Sequence, residues 1–313
     1  MQDSEQVCGL LYDLARARNG QNCFITLNGV EVFLVQSPAG ADHVLRRNAR
    51  NYVKNMAWFR RTLGASRFSE DGEAWEARRA LTQPAFNRFD REHAFAVATG
   101  RALVTLRALA EAGARGAQRL SDDALRDLTA DILLRSFFGR SLAESGVDMR
   151  LLAEAMTFAS EYSFIPEGET GRQFRDRLPE LLRSRRQVLE MMRFFRSPAL
   201  DGQPLAERLR EADRERRAGM VLEHEMITFL AAGSEASAAT IGWATWLLAR
   251  YPQLQESLRE EAPPSGARLS GRGRRCGGRI GEAGAMAPLR AVHQRNAAAF
   301  PGDADLGAAA AGR

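Results

Sequence analysis

Two short stretches of this chain hold residues whose types and spacing could do chemistry. In DGEAWEARRALTQPAF, Asp71 to Phe86, a helix would put Trp75 and Arg79 one turn apart on a shared face. An indole N–H beside a guanidinium makes a clamp for a carboxylate, because the arginine fork can engage both oxygens. Arg78 adds charge on the neighbouring face. A tryptophan packed under an arginine stem is also a common arrangement with no ligand at all. The second stretch, FLAAGSEASAATIGWATW, Phe229 to Trp246, reads as an apolar helix interrupted by one acid, Glu235. Around it lie small residues, Ala231, Gly233, Ser234, Ala236 and Ser237, that leave room for something flat or small against the helix. A lone carboxylate in a core helix costs several kcal/mol to desolvate unless it is paired. The expectation is therefore a buried acid serving a site, set against an amphipathic helix with one polar edge.

Helical patterns that could carry these stretches fall near 73–83 and 221–250, with Pro84 expected to end or bend the first of them. Others fall near 90–112, 122–138, 148–163, 172–195 and 204–217, and one follows Pro252. Earlier, CFITL and VEVFLV flank Asn28-Gly29, a strong two-residue turn signal, and predict a hairpin over 23–35. Ser37-Pro38 reads as an N-cap followed by proline at the first helical position, opening a helix through about Arg50. The fold class is mainly α with a small β-sheet near the N-terminus.

The net charge of +5 is a local property. Beyond Glu261 there are eight arginines and three acids (Glu282, Asp303 and Asp305), so residues 1–261 are neutral overall. Lys54 is the only lysine, which points to a GC-rich gene more than to a surface for polyanions. No nucleic-acid partner is expected. Cys8, Cys23 and Cys276 give neither a disulfide framework nor a zinc site, in keeping with a reduced, cytoplasmic setting. The first residues lack the pattern of a signal peptide, and no apolar run is long enough for a membrane span. His224-Glu225 opens like a zinc-protease helix, but Thr228 stands where the second histidine would be.

From about residue 10 to 261 the chain resembles the cytochrome P-450 family of haem-thiolate monooxygenases. The resemblance rests on the early hairpin, Trp75-x-x-x-Arg79 with its Pro84-Ala85-Phe86, and Phe137-Phe138-Gly139 at a helix end. It rests further on Ala232-Gly233-x-Glu235 and on TWLLARYPQLQESLREE. It implies that Trp75 and Arg79 hold a haem propionate. Gly233 would leave room for dioxygen on the distal face, and Glu235 would serve proton delivery. The family usually has a threonine after the acid, whose hydroxyl helps protonate bound oxygen; here that position is Ala236. Ser237, one residue on, points about 100° away and is a poor substitute.

The family's Glu-x-x-Arg helix and its Phe-x-x-Gly-x-Arg-x-Cys-x-Gly loop, source of the iron's thiolate, do not occur in their places. Cys276, in GRGRRCGGR, mimics the loop only faintly, because Leu269 and Arg272 stand at its Phe and first Gly positions. It is not expected to be the axial ligand. Of the 52 residues after Glu261, 36 are Ala, Gly, Arg or Pro, a composition that a GC-rich gene gives when read out of frame. An arginine- and glycine-rich RNA-binding tail would have the same composition. The codons available to 293–301, HQRNAAAFP, permit Ile-Asn-Glu-Thr-Leu-Arg-Leu-Phe-Pro one nucleotide later, which contains the missing Glu-x-x-Arg. Ala287, Pro288 and Leu289 permit Leu-Pro-Phe in that same frame.

The expectation is thus the N-terminal part of a P-450 domain over 1–261, an incomplete P-450 fold. The non-family tail, 262–313, would be out of frame from somewhere within 262–285 and disordered, as in the truncated product of a pseudogene. By resemblance the ancestral reaction inserts one oxygen atom from dioxygen into a small apolar substrate. It would use haem and a ferredoxin-type electron donor. The chain itself is expected to be inactive. The alternative is a non-catalytic helical module that binds an apolar ligand or partner. Segments 51–68 and 156–170 are placed to line a substrate pocket.

Overall fold

A computed structural model describes residues 4–27, 30–116, 120–161 and 167–261. The Asn28-Gly29 turn and everything from 262 on, Cys276 included, lie outside the described residues. The chain divides into two units, Met1–Thr240 and Ile241–Arg313.

The first unit opens with helix α1, Ser4–Ala17, which the sequence reading did not anticipate. Its Leu10, Leu11 and Leu14 recur at helical spacing and are half-buried, while Tyr12, Asp13 and Arg16 are exposed. Strands β1, Cys23–Leu27, and β2, Val30–Leu34, pair antiparallel with Leu27 opposite Val30, which is the register a two-residue turn requires. Phe24 and Phe33 face each other across this hairpin with ring centroids 4.8 Å apart. The Ser37 hydroxyl caps α2, Pro38–Asp42, by accepting the Gly40 N–H at 3.1 Å, as expected. The continuous helix to Arg50 does not form. Residues His43–Arg47 widen into a π turn closed by Asn48 N–H on the His43 carbonyl at 2.8 Å, and Ala49–Asn51 tighten into a 3-10 turn. Asp42 accepts from Arg46 at 2.6 Å and also from Arg47, holding both arginines against the widened turn.

Helix α3, Ala57–Leu63, precedes α4, Gly72–Asn87. Pro84 does not end α4; it sits one turn from the C-terminus, where its missing N–H removes only one late bond, and the helix runs on to Asn87. Helices α5, Arg91–Gly113, and α6, Asp122–Phe138, follow. The Ser121 hydroxyl caps α6, and Gly139 ends it in the left-handed conformation (φ 62°), so the Phe-Phe-Gly signal marks a helix end as read. Then come α7, Leu142–Ser145, α8, Met149–Glu161, and α9, Glu167–Met191. Helix α10, Pro204–Arg214, leads to the longest element, α11, Leu222–Arg250.

The first half of α11 is the spine of the core. Leu222, Met226, Ile227 and Leu230 are fully or almost fully buried against Leu134 and Phe138 of α6, Phe195, and Leu205 and Leu209 of α10. Phe137 meets Phe229 edge to face at 5.0 Å and Phe86 at 5.4 Å, joining α4, α6 and α11 through aromatic contacts.

In the second unit, the end of α11 and α12, Pro252–Glu261, are described. Gln255 donates from Nε2 to the Leu248 carbonyl at 2.7 Å across the junction, and Pro252 stands at the first helical position of α12. Trp243 and Trp246 pack edge to face at 5.7 Å on an exposed surface of α11.

Candidate functional site

Helices α4, α6, α10 and α11, with Lys54, Arg67 and Phe68 from the segments before α4, line an open cavity of about 620 Å³. Its apolar wall includes Phe86, Leu133, Phe137 and Phe229, and Trp75 and Gly233 both line it. The two stretches singled out by their chemistry therefore meet at one place. The Arg79 guanidinium lies over the Trp75 ring at 5.0 Å, so the shared helix face forms as expected. Trp75 is half-buried and lines the cavity, whereas Arg79 is exposed and stacks on the ring without lining the cavity itself. Gly233 has a packing reason as well: a Cβ there would stand 2.7 Å from Leu133 Cδ2, so the glycine lets α6 approach α11 closely.

Glu235 is not the buried acid that the sequence pattern predicted. It is exposed, as are Ala236 and Ser237, and none of the three lines the cavity. Apolar residues turn to the core at Leu230, Ala231 and Ala238, with Ser234 between them, and Glu235 lies at the edge of that stripe, where it is exposed. The small residues thus belong partly to a tight helix contact, where the Thr129 hydroxyl of α6 also reaches the Ser234 carbonyl at 3.1 Å. The Ser237 hydroxyl bonds back to the Gly233 carbonyl at 3.4 Å, a long and weak contact, while Ala236 offers its carbonyl to Thr240 at 2.8 Å.

The buried acid of α11 is Glu225, which sequence reasoning noticed only as part of an unfulfilled zinc pattern. Its carboxylate pairs with Arg78 of α4, both side chains being almost wholly buried (5% and 3% exposed), and accepts the Arg67 backbone N–H at 3.1 Å. Arg78 also donates to the Gly219 carbonyl at 3.0 Å and the Ala65 carbonyl at 3.3 Å. The charge that the sequence placed on a neighbouring face is therefore a buried tie. Burial pushes the Glu225 carboxyl up from the usual glutamate value, against the pull of the Arg67 N–H and of Arg78. Beside it, burial pushes the His224 imidazole down. That ring packs against Gly64, where any Cβ would collide with it at 2.3 Å. The Ser66 and Thr228 hydroxyls share a bond of 2.7 Å, closing the same junction. A signal was present for Glu225: it is an acid one turn before a fully apolar run, with arginines upstream that could reach it.

Of the segments expected to line a pocket, 51–68 contributes Lys54, Arg67 and Phe68 to this cavity. From 156–170, none of the described residues lines it, and residues 162–166 lie outside the described residues. Among the described residues, no group of three or more His, Cys, Asp or Glu could hold a metal, and no helix is long and apolar enough to cross a membrane.

A mainly helical scaffold that brings an arginine–tryptophan clamp and a glycine-bearing long helix to one apolar cavity is built like the helical part of a haem protein. The chain belongs to the cytochrome P450 family, whose model matches residues 10–263. Solved structures of similar fold include the haem domain of cytochrome P450DA, at 20% identity and a TM-score of 0.58, with 83% of this chain and 59% of that one covered. A cytochrome P450 named CYP102L1 gives 22% identity and a TM-score of 0.56, covering 82% and 61%. CYP175A1 from Thermus thermophilus gives 19% and 0.51, covering 81% and 60%. At these identities the likeness is one of fold, and the chain spans about three fifths of the length of these structures. No curated protein matches the sequence.

Family membership implies haem as the cofactor, and the residues present fit it in part. Arg79 with Trp75 suits a propionate, and the apolar wall with Gly233 suits the ring's face. The iron finds no such partner, because Cys23, the free cysteine among the described side chains, sits on β1 and does not line the cavity.

Proposed function

We propose that this chain descends from a haem-thiolate monooxygenase and holds its distal and propionate-binding half. The observation that carries this reading is the Arg79 guanidinium 5.0 Å over Trp75 at a cavity that also reaches Gly233. In that reading Arg79 and the Trp75 indole hold a propionate, Gly233 keeps the distal face open, and Phe86, Phe137 and Phe229 keep water away. Haem would supply activation of dioxygen for insertion of one oxygen atom into a small apolar substrate, with electrons from a ferredoxin-type donor. Glu235 and Ser237 are the proton-delivery candidates by family position, and their exposure weighs against efficient delivery by this chain.

The chain as it stands is proposed to be inactive, since the family's cysteine loop and Glu-x-x-Arg helix are missing from its sequence. The 262–313 segment is proposed to be a frameshifted tail, Cys276 taking no part as a ligand. A carbon monoxide difference spectrum after reduction tests the inactivity: no red-shifted thiolate band is expected, and its appearance would overturn the proposal. Sequencing the gene past the codon for Arg313 tests the tail. A Phe-x-x-Gly-x-Arg-x-Cys-x-Gly segment should occur in another frame; its absence from all three removes the frameshift reading.

A further inference from the structure

Within the second unit, residues 241–249 of α11 carry no charged side chain, and none of them is buried. Trp243 is 65% exposed, Trp246 48% and Ile241 37%. Tyr251 and Leu254, just beyond, are exposed as well, so the large apolar side chains form a patch instead of standing singly. The charge that ends the run is Arg250. It is exposed and, among the described residues, enters no ion pair and lies over no ring.

Trp243, Trp246 and Arg250 stand at i, i+3 and i+7, the spacing that lays side chains along one seam of a helix. They fall within an arc of about 60°. The two indoles meet edge to face at 5.7 Å and make one apolar pad, with Arg250 one turn beyond it. This seam is complementary to its own reverse. A second copy laid antiparallel, with a twofold axis passing between Trp246 and Leu247, sets Arg250 of each copy against Trp243 of the other. A guanidinium over an indole is the most favourable protein cation–π pair. It meets the one charge on the seam without an acid, and the seam offers none. Such an isologous contact closes on itself at two copies.

We propose that this seam is a contact between two copies of the chain, joined antiparallel through Trp243, Trp246 and Arg250. So short a seam buries far less than the roughly 1,600 Å² of a standard interface, so the dimer is a weak one, with a Kd in the micromolar range or above. None of these residues lines the cavity, and the contact is independent of the haem reading.

Sedimentation equilibrium of the full chain, with no haem added, tests the contact from about 1 to about 500 μM. A reversible monomer–dimer equilibrium is expected, with no larger species. Trp243→Ser with Trp246→Ser should leave a monomer over that range. Arg250→Glu should weaken the dimer about tenfold, because two symmetry-related cation–π contacts are lost, and Arg250→Lys should weaken it less. Trp243→Arg should abolish the dimer by opposing like charges, and adding Arg250→Trp should restore it, since the antiparallel arrangement then re-forms both pairs. All three positions are exposed, so these variants should fold as the parent does, which circular dichroism checks. A chain that stays monomeric throughout, as it would if residues beyond Glu261 covered the seam, overturns the proposal. Association that ignores the tryptophans or grows without limit does the same. So does a dimer untouched by Arg250→Glu, or one that the paired exchange of positions 243 and 250 does not restore.

Discussion

Glu225 and Glu235 stand on one helix, and the structure treats them in opposite ways. Glu225 is sealed between α4 and α11 with an arginine on its carboxylate, and Glu235 faces solvent. Their immediate neighbours would suggest the reverse, because Glu225 follows Glu223 and His224 whereas Glu235 stands among alanines, serines and Gly233. What differs is what comes from elsewhere in the chain. Arg78 and the Arg67 N–H reach Glu225 from segments about 150 residues away in sequence, whereas none of the described residues bonds to the Glu235 carboxylate. A carboxylate in a helix is buried where a remote segment supplies its counter-charge, and not merely where its own helix is apolar.

Removing Arg78 should test that contrast most severely. Arg78→Met leaves Glu225 buried and unpaired, and should cost about 3–5 kcal/mol of unfolding free energy in denaturant titrations. Converting the pair together, Arg78→Met with Glu225→Leu, should recover most of that loss. A small loss in the single variant would mean that water reaches Glu225, and the contrast between the two acids would collapse.

The next effect concerns the cation one position along. Arg79 is exposed and stacks on Trp75, so Arg79→Ala should leave unfolding almost unchanged while weakening haem retention. A charge-assisted bond is worth about 1.5–3 kcal/mol, and solvent at this rim places the expected loss near the lower end. Haem titration against the parent chain measures it. Equal affinity would make the Trp75–Arg79 stack purely structural.

The pH dependence sharpens the comparison further. His224 is held below its ordinary value of 6.5 by burial, so the unfolded chain binds its proton first. Stability from this group is fully present above about 6.5 and is lost as pH falls from there towards the depressed folded-state value. Glu225, with its carboxyl pushed up, runs the other way, losing stability as pH rises above the usual glutamate value of 4.5. Unfolding curves of His224→Asn should lose the first slope and keep the second. An unchanged profile would mean that the imidazole is hydrated.

The smallest change is expected at Glu235, where Glu235→Gln should shift unfolding by less than about 0.5 kcal/mol. A loss comparable to that of Arg78→Met would show that this acid, too, has a buried partner.

Much of the scaffold was legible because local physics repeats. The hairpin register, the Ser37 cap, the Phe137-Phe138-Gly139 end and the span of α6 follow from turn chemistry, capping and period, which act within a few residues. Helix α1 escaped notice, since its three leucines make only a short stripe. The π turn at His43–Arg47 escaped because a local pattern of helix formers does not distinguish one ladder from another. The clamp of Trp75 and Arg79 was readable, since partners one turn apart on a helix need no tertiary information.

The sequence by itself determined that this is a mainly helical P450-family chain and which residues form the arginine–tryptophan pair. Only the tertiary structure decided that Glu225 is the buried acid, that Arg78 is its partner, and that Arg67 and Lys54 edge an aromatic cavity. The division has a physical cause. Periodicity and capping are short-range and leave a mark in adjacent residues, whereas desolvation depends on which distant surfaces close over a group, and helix packing sets that only after the chain has folded.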